Sequence, residues 1–590
     1  MFARTRTSNV SRCLWLLATC ALARPAGAPA ADSPQWGGSA ARNNVAQEKD
    51  LPLEWDVGQL DEATDRALPP SAKNIRWVAR LGSQTYATPV VADGKVFCGS
   101  NNAAGRLRRY PPTIDLGCLL CFRASDGQFL WQFSCQKLAA GRTMDWPQTG
   151  LCSSPLVEGK RLWIVTNRCE VVCLGTEPGG ASGGAGPSAR AGASTGETPV
   201  PPAGGDQPSG HEPQILWRYD MIRQLGVSPH NMSSCSVTAF DDLLLVCTGN
   251  GVDESHEKIP APDAPSFIAL DKNTGRLLWT DRSPGRNILH GQWSSPAVAV
   301  AGGVPQAVFA GGDGWLYGFR LGDEQGAESG EQGAGSGSKP KAHSSKLKAQ
   351  SSKLKAPLLW KFDCNPKTAL WKEGGLGDRA TLVATPVLAG GRVYIAMGDD
   401  PEFGEGPGRL WCLQTARRGD VSAELVVDRQ GRPVPPRRVQ AADPTAGEVV
   451  RANPNSAVVW QYTGREGKAQ RKFEDTMHRA LGMAVVQDGL LVIGDLAGLI
   501  HCLDAATGRV HWTYDLKSAV WGSPLVADGK VYLADEDGDV VVLALSPQFK
   551  LLAKNSLGAA IYTTPVAAHG TLYLATRTHL IAIARGKPQN

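Results

Sequence analysis

The side chains of this chain that could do chemistry are scattered, and each group is incomplete by itself. "CLLC" at residues 118–121 has a thiol spacing used for haem or metal, but Phe122 follows where covalent haem attachment needs histidine. "CEVVC" places Cys169 and Cys173 at a spacing usable for zinc, with no second pair in a matching arrangement. "ADEDGDVVVL" sets Asp535, Asp537 and Asp539 on alternate positions, as in part of a calcium loop, but without the downstream glutamate. It reads as a solvated hairpin turn. Imidazoles occur in "SPHNMSS" (His230, Asn231), "NILHGQWSS" (His290, Gln292, Trp293) and "DTMHRALG" (His478, Arg479). A metal centre would need such side chains to converge within bonding distance. No serine-nucleophile motif, phosphate-cradling loop or paired-carboxylate motif is present.

The elements that position these residues are repeats. "WGSPLVADGKVYLADEDGDVVVLAL" from Trp521 and "IYTTPVAAHGTLYLATRTHLIAIA" from Ile561 are copies of one unit, with Pro524 and Pro565 at the same place. Earlier copies carry Pro89, Pro155, Pro296 and Pro386 at that place, and two degenerate ones carry Val237 and Ala484, which makes eight. Alternating apolar residues flank Asp-Gly or Gly-Gly, the signature of a tight hairpin. The proline suits the start of a strand, where a missing N–H costs nothing. A third strand follows ("IHCLDA", "FIALDK"), then a glycine turn and a fourth strand carrying tryptophan. Trp131, Trp217, Trp279, Trp360, Trp460 and Trp512 hold that position. Four strands in about 40 residues make one propeller blade. Trp77 lies ahead of any complete unit, and the last unit ends without a tryptophan strand. An N-terminal outer strand that completes the final blade would close the ring and remove its sheet edges. The expected fold is therefore all-β: an eight-bladed propeller over residues 75–586, closed by the strand around Trp77.

The flanks and insertions differ in composition. Residues 1–31 have a basic start, a short apolar run and an A-x-A site, the pattern of a cleaved secretory signal. Lipoprotein processing at Cys20 is the rival reading. Export implies a periplasmic or secreted location. Residues 32–74 form an N-terminal extension and 587–590 a tail. Residues 177–213 and 322–356 are low-complexity and read as disordered loops. Residues 416–456 form a third insertion, able to hold a short hairpin. The formal charge of +5 over 590 residues forms no basic stripe, so no nucleic-acid partner is expected. No apolar run is long enough for a transmembrane helix. The twelve cysteines beyond the signal fall mostly on apolar strand positions (Cys98, Cys121, Cys173, Cys247, Cys412, Cys502) and read as buried thiols.

The pattern (S/T)-P-x-V-x-x-G-x-V-Y followed by A-x-D-x-x-T-G-x-x-x-W resembles the pyrroloquinoline quinone (PQQ) repeat. Asp504, Thr507, Gly508 and Trp512 match its tryptophan-docking signature, as do Asp271, Thr274, Gly275 and Trp279; Asp126, Gly127 and Trp131 match it less completely. The resemblance implies an eight-bladed propeller whose Trp77, Trp131, Trp217, Trp279, Trp360, Trp460 and Trp512 dock neighbouring blades. Families of this type include quinoprotein dehydrogenases and also non-enzymatic propellers such as the lipoprotein of outer-membrane barrel assembly. The dehydrogenases cover the quinone with adjacent cysteines, which this chain lacks, and no calcium-ligand set can be placed by motif. The expected function is a monomeric, exported, non-catalytic scaffold or binding protein without a cofactor. A PQQ- and calcium-dependent alcohol or sugar dehydrogenase is the alternative, and a polysaccharide-binding propeller a second one.

Function is expected where the repeat is broken, in the segments that lead into the innermost strands and face the central funnel. They supply Tyr86, His230, Asn231, His290, Gln292, Trp293, His478, Trp521 and Tyr562 as candidates for binding a protein, saccharide or small ligand, with Gln84, Asp145 and Trp146 nearby. The three histidines precede the third, fourth and sixth units, which are not all adjacent, so no metal site is expected.

Overall fold

The computed structural model describes residues 31–58, 72–179, 211–322, 356–367, 369, 380–399, 406–434, 438–465 and 472–586. All but the last residue of the expected secretory signal (1–31) and most of the two low-complexity insertions lie outside these residues. Eight antiparallel sheets form a ring. The first four blades run from Val90–Ala92 to Phe129–Gln136, Leu156–Glu158 to Pro213–Asp220, Thr238–Phe240 to Leu277–Asp281, and Ala297–Ala301 to Leu358–Asp363. The next three run from Val387–Ala389 to Val458–Tyr462, Val485–Gln487 to Val510–Asp515, and Leu525–Ala527 to Leu551–Ser556. The eighth takes Val566–Ala568, Thr571–Ala575 and His579–Ile583 from one end of the chain and its outer strand, Ile75–Arg80, from the other.

The inner strands are buried on both faces because each blade is sandwiched between two others, which explains near-continuous apolar runs such as "DVVVLA". Six of the eight hairpin turns between the first two strands have both residues at positive φ, as at Asp528 (51°) and Gly529 (68°). This is the backbone that Asp-Gly and Gly-Gly pairs favour.

All eight outer strands carry a register shift just before the tryptophan position. Opposite the indole on the third strand stands a small residue: Cys121 faces Trp131, Cys173 Trp217, Cys412 Trp460, Cys502 Trp512, Ala269 Trp279, Gly318 Trp360 and Ala582 Trp77. Where the chain has Ala553 in place of tryptophan, the partner is the bulkier Val542. Four of the twelve described thiols are thereby explained: cysteine is a small, polarisable apolar residue that leaves room for a ring. The twelve cysteines among the described residues are all free. Burial pushes the Cys502 and Cys173 thiols up to about 12, so they are unreactive.

The indole N–H then reaches the next blade. Trp77 donates to the Ala124 carbonyl (2.9 Å), Trp131 to Thr176 (3.0 Å), Trp217 to Lys272 (3.2 Å), Trp460 to Ala505 (3.2 Å) and Trp512 to Ser546 (2.9 Å). A Cβ on Gly508 would lie 2.6 Å from the Trp460 ring, so only glycine admits this contact. Trp279 has no such bond among those described and packs edge-on to Phe319 of the next blade at 4.8 Å. Trp360 departs from the pattern and donates to Gln306 Oε1 of its own blade (2.9 Å).

The described residues of the third insertion carry strands. Gly419–Asp420 adds a parallel strand to the fourth blade, and Glu424–Val427 pairs with Val449–Ala452. Arg438, from the same insertion, donates to the Asn287 carbonyl (3.0 Å) and sits 3.6 Å from the Asp313 carboxylate.

Candidate binding cup on the propeller axis

The residue three positions before each strand-opening proline, or its substitute, lies on the axis. Tyr86, Cys152, Ser234, Trp293, Val383, Leu481, Trp521 and Tyr562 occupy that position in the eight blades, and all of them line one cavity of about 360 Å³. Four of the eight are aromatic. Tyr86 lies 5.1 Å from Tyr562 and 6.2 Å from Trp521 between ring centroids, and Trp521 meets Tyr562 edge-on at 5.2 Å. Glu536 orients two of them, accepting from Trp521 Nε1 (2.9 Å) and the Tyr562 hydroxyl (3.3 Å).

Beneath this layer runs a belt made by the Ser/Thr of each Ser/Thr-Pro pair. Its backbone N–H donates to the hydroxyl of the same residue in the next blade. The bonds run Ser154 to Ser236 (3.0 Å), Ser236 to Ser295 (2.9 Å), Ser295 to Thr385 (2.9 Å), Ser523 to Thr564 (3.0 Å) and Thr564 to Thr88 (3.1 Å). Met483 replaces the hydroxyl residue in the sixth blade; its N–H still donates to Ser523 Oγ (2.8 Å). The hydroxyls satisfy buried N–H groups that no sheet partner reaches.

The floor comes from the N-terminal extension, which belongs to the propeller. Residues 33–48 trace the underside of the ring and pair with the free edges of the innermost strands. Ser33 bridges Val91, the carbonyls of Pro34, Ala40 and Ala41 accept from Val157, Val298 and Leu388, and the Asn43 side chain pairs with the Val486 backbone. Val45–Ala46 runs parallel to Leu525–Ala527, and Glu48 accepts from the His569 and Gly570 N–H groups. Arg42, fully buried, serves the third and fourth blades: it donates to the carbonyls of Ser236 (2.6 Å), Val237 (3.0 Å) and Pro296 (3.1 Å) and to Thr238 Oγ1. Burial lowers its guanidinium to about 10. Trp36 rises from this segment into the cavity and donates to Thr564 Oγ1 at 3.2 Å. Edge strands left bare invite other chains, and this segment covers them.

Above the cup a wider mouth of about 720 Å³ is polar, with Gln84, Gln148, Asn231 and Arg577 beside Trp146. Arg142 stacks on Trp146 at 4.1 Å.

Six of the nine candidates read from the sequence line the cup: Tyr86, Asn231, His290, Trp293, Trp521 and Tyr562. His230 stands behind the wall. Gln292 does not face the funnel. It is buried in the joint between the third and fourth blades, donating to the Asn250 carbonyl (2.7 Å) and Ser266 Oγ (3.0 Å) and accepting from Gly312 N–H (3.1 Å). His478 is also turned away: its N–H donates to Asp495 Oδ2 (2.9 Å) and its ring packs on Phe473 at 4.3 Å. Although burial opposes it, the hydrogen bonds from His478 and His501 hold the Asp495 carboxyl well below the usual range. Asp145 is structural, buried against Lys137 and Asn167. Asp535, expected in a solvated turn, is fully buried; burial raises its carboxyl to about 6. Its Oδ1 accepts from Asp539 N–H at 2.9 Å, while Oδ2 is buried without a hydrogen-bond partner.

Two of the three histidines precede adjacent blades. The third and fourth blades are neighbours, and His230 and His290 meet with ring centroids 4.5 Å apart. The third imidazole is His256, from the loop at residues 251–265, not His478. Its sequence context ("DESHEKIP") carries no repeat signal, and only the fold reveals it.

The residues lining the cup do not fit PQQ. The quinone carries three carboxylates and is held with calcium by oxygen ligands. Among the described residues lining the cavity there is no Asp, Glu, Lys or Arg. The Tyr86 hydroxyl, raised by burial to about 12, stays protonated and offers no base.

Residues 438–548, from the third insertion through the seventh blade's third strand, match the family model described as outer membrane protein assembly factor BamB. No curated protein matches the chain. Similar solved structures include BamB from Moraxella catarrhalis (10% identity, 86% of this chain and 99% of that one, TM-score 0.46). Sqt1 from Saccharomyces cerevisiae is another (10%, 87% and 100%, TM-score 0.46). Quinohemoprotein alcohol dehydrogenase from Comamonas testosteroni is a third (11%, 96% and 82%, TM-score 0.41). Eight blades each built on four antiparallel strands, the recurring docking signature and the match over residues 438–548 identify the chain as an eight-bladed β-propeller of PQQ-like repeats.

Proposed function

We propose that the chain is an exported, non-catalytic binding propeller that holds a protein partner through the axial cup. One observation carries this reading: the eight symmetry-related axial positions line a single cavity, four with aromatic rings and none with a charge, beneath a polar mouth. A desolvated aromatic centre inside a polar rim is the anatomy of a protein-binding hot spot. The extension closes the cup from below, so a partner inserts from one side only. The amide-rich mouth beside Trp146 also favours a saccharide as a second reading, since amides and stacked rings suit hydroxylated ligands. Residues 1–31, all but the last outside the described part, support export through their signal-like pattern.

The test compares the wild-type chain with Trp521→Ala/Tyr562→Ala. Immobilised wild type should retain a discrete envelope protein that the variant releases, at equal thermal stability. Saturable PQQ binding with alcohol-dependent dye reduction in the presence of calcium would replace this reading with the dehydrogenase. Retention by glycan columns alone would favour the saccharide.

A further inference from the structure

We propose that His230, His256 and His290 form a three-histidine zinc site in the wall of the cup. Their ligand atoms all lie within 4.8 Å of one another, and the rings converge pairwise with centroids 4.5 to 4.9 Å apart. His230 and His256 approach through Nε2, 3.2 Å apart. Two nitrogens bound to one tetrahedral zinc, at about 2.0–2.1 Å each, stand roughly 3.3 Å apart. This pair is therefore already at the ligand–ligand spacing, and the third nitrogen needs to close by at most about 1.5 Å.

The surroundings fit the same role. His230 Nδ1 contacts the Val252 carbonyl at 2.8 Å, which fixes N–H at Nδ1 and leaves the Nε2 lone pair directed at the cluster. A carbonyl in this place is the usual outer partner of a metal-bound imidazole. Trp293 braces the cluster, meeting the His290 ring edge-on at 4.9 Å and donating through Nε1 to the His230 backbone carbonyl at 3.2 Å. Three neutral nitrogen donors without a carboxylate select a borderline transition ion over calcium or magnesium. His230 and His290 are buried while His256 is half-buried, so the ion would enter from the side of the loop at residues 251–265. It would pin that loop to the segment leading into the fourth blade. His290 also lines the cup, which places the ion at the edge of the binding cavity.

The experiment is equilibrium dialysis and titration calorimetry with Zn²⁺ on the mature chain, purified without a histidine tag. One zinc per chain is expected, with visible tetrahedral d–d bands on Co²⁺ substitution. His256→Ala, in a surface loop, should keep the fold and lose affinity by more than the ~10–100-fold that changing an outer partner costs. His569→Ala, at a histidine far from the cluster, should bind as the wild type does. If His256→Ala binds zinc with unchanged stoichiometry and affinity, or the wild type binds none, the assignment is wrong.

Discussion

Trp36 and Thr564 are 528 positions apart in sequence and joined by a 3.2 Å hydrogen bond at the floor of the cup. The contact exists because residues 33–48 run round the underside of the ring and pair with the inner strand edges. The anchor of that segment is Arg42, whose guanidinium serves carbonyls of two blades. Arg42→Met leaves the buried Ser236 and Val237 carbonyls without this donor, while Pro296 keeps Thr238 Oγ1, and should lower stability by roughly 2–4 kcal/mol. Chemical denaturation checks this.

Trp512 is nearly buried, opposite Cys502 and hydrogen-bonded to the next blade. Trp512→Ala should cost about 3–5 kcal/mol, the range for emptying a large aromatic site. Partner binding by the folded fraction should not change, since the residue is far from the axis. Denaturation and binding measured on the same preparation separate the two effects.

The hydroxyl belt makes its own prediction. Ser236 Oγ accepts from Ser154 N–H, and Thr564 Oγ1 accepts from Ser523 N–H and Trp36 Nε1. Ser236→Ala or Thr564→Ala strands a buried N–H and should destabilise by about 1–3 kcal/mol each. Ser236→Thr should retain most of the stability.

Asp535 should give a pH signature. Its native carboxyl is raised by burial to about 6, so the native state holds its proton longer than the unfolded chain does. Its stabilising share is complete below about pH 4 and is lost as pH rises through about 6. Asp535→Asn removes that loss. The variant should be more stable than the wild type above pH 7, by roughly 1–3 kcal/mol, with the gap closing near pH 4. Denaturation curves across that pH range test both the sign and the window.

These sites show where the chain could be read directly and where it could not. The blades were legible because each strand and turn recurs, so eight weak signals reinforce one another. The cysteines became intelligible only in register: Cys121, Cys173, Cys412 and Cys502 are small partners of tryptophans on the next strand. The axial residues were half visible. Tyr86, Trp293, Trp521 and Tyr562 stood out as aromatics, but Cys152, Val383 and Leu481 share their position without a conspicuous side chain. Gln292 and His478 look alike in sequence to the lining residues, yet one fills a blade joint and the other is held by Asp495. Residues 33–48 and His256 occur once each, with no periodicity to expose them. Their roles come from contacts hundreds of residues away.

The most direct test of the axial cup as the partner site is in-cell photocrosslinking from two positions. Gln148 stands at the mouth, and Asp50 lies on the underside beside the Asp528 turn. A photoreactive residue at 148 should give a discrete protein adduct that is absent from position 50 and abolished by Trp521→Ala/Tyr562→Ala. No adduct from 148, or the same adduct from both faces, would contradict the account.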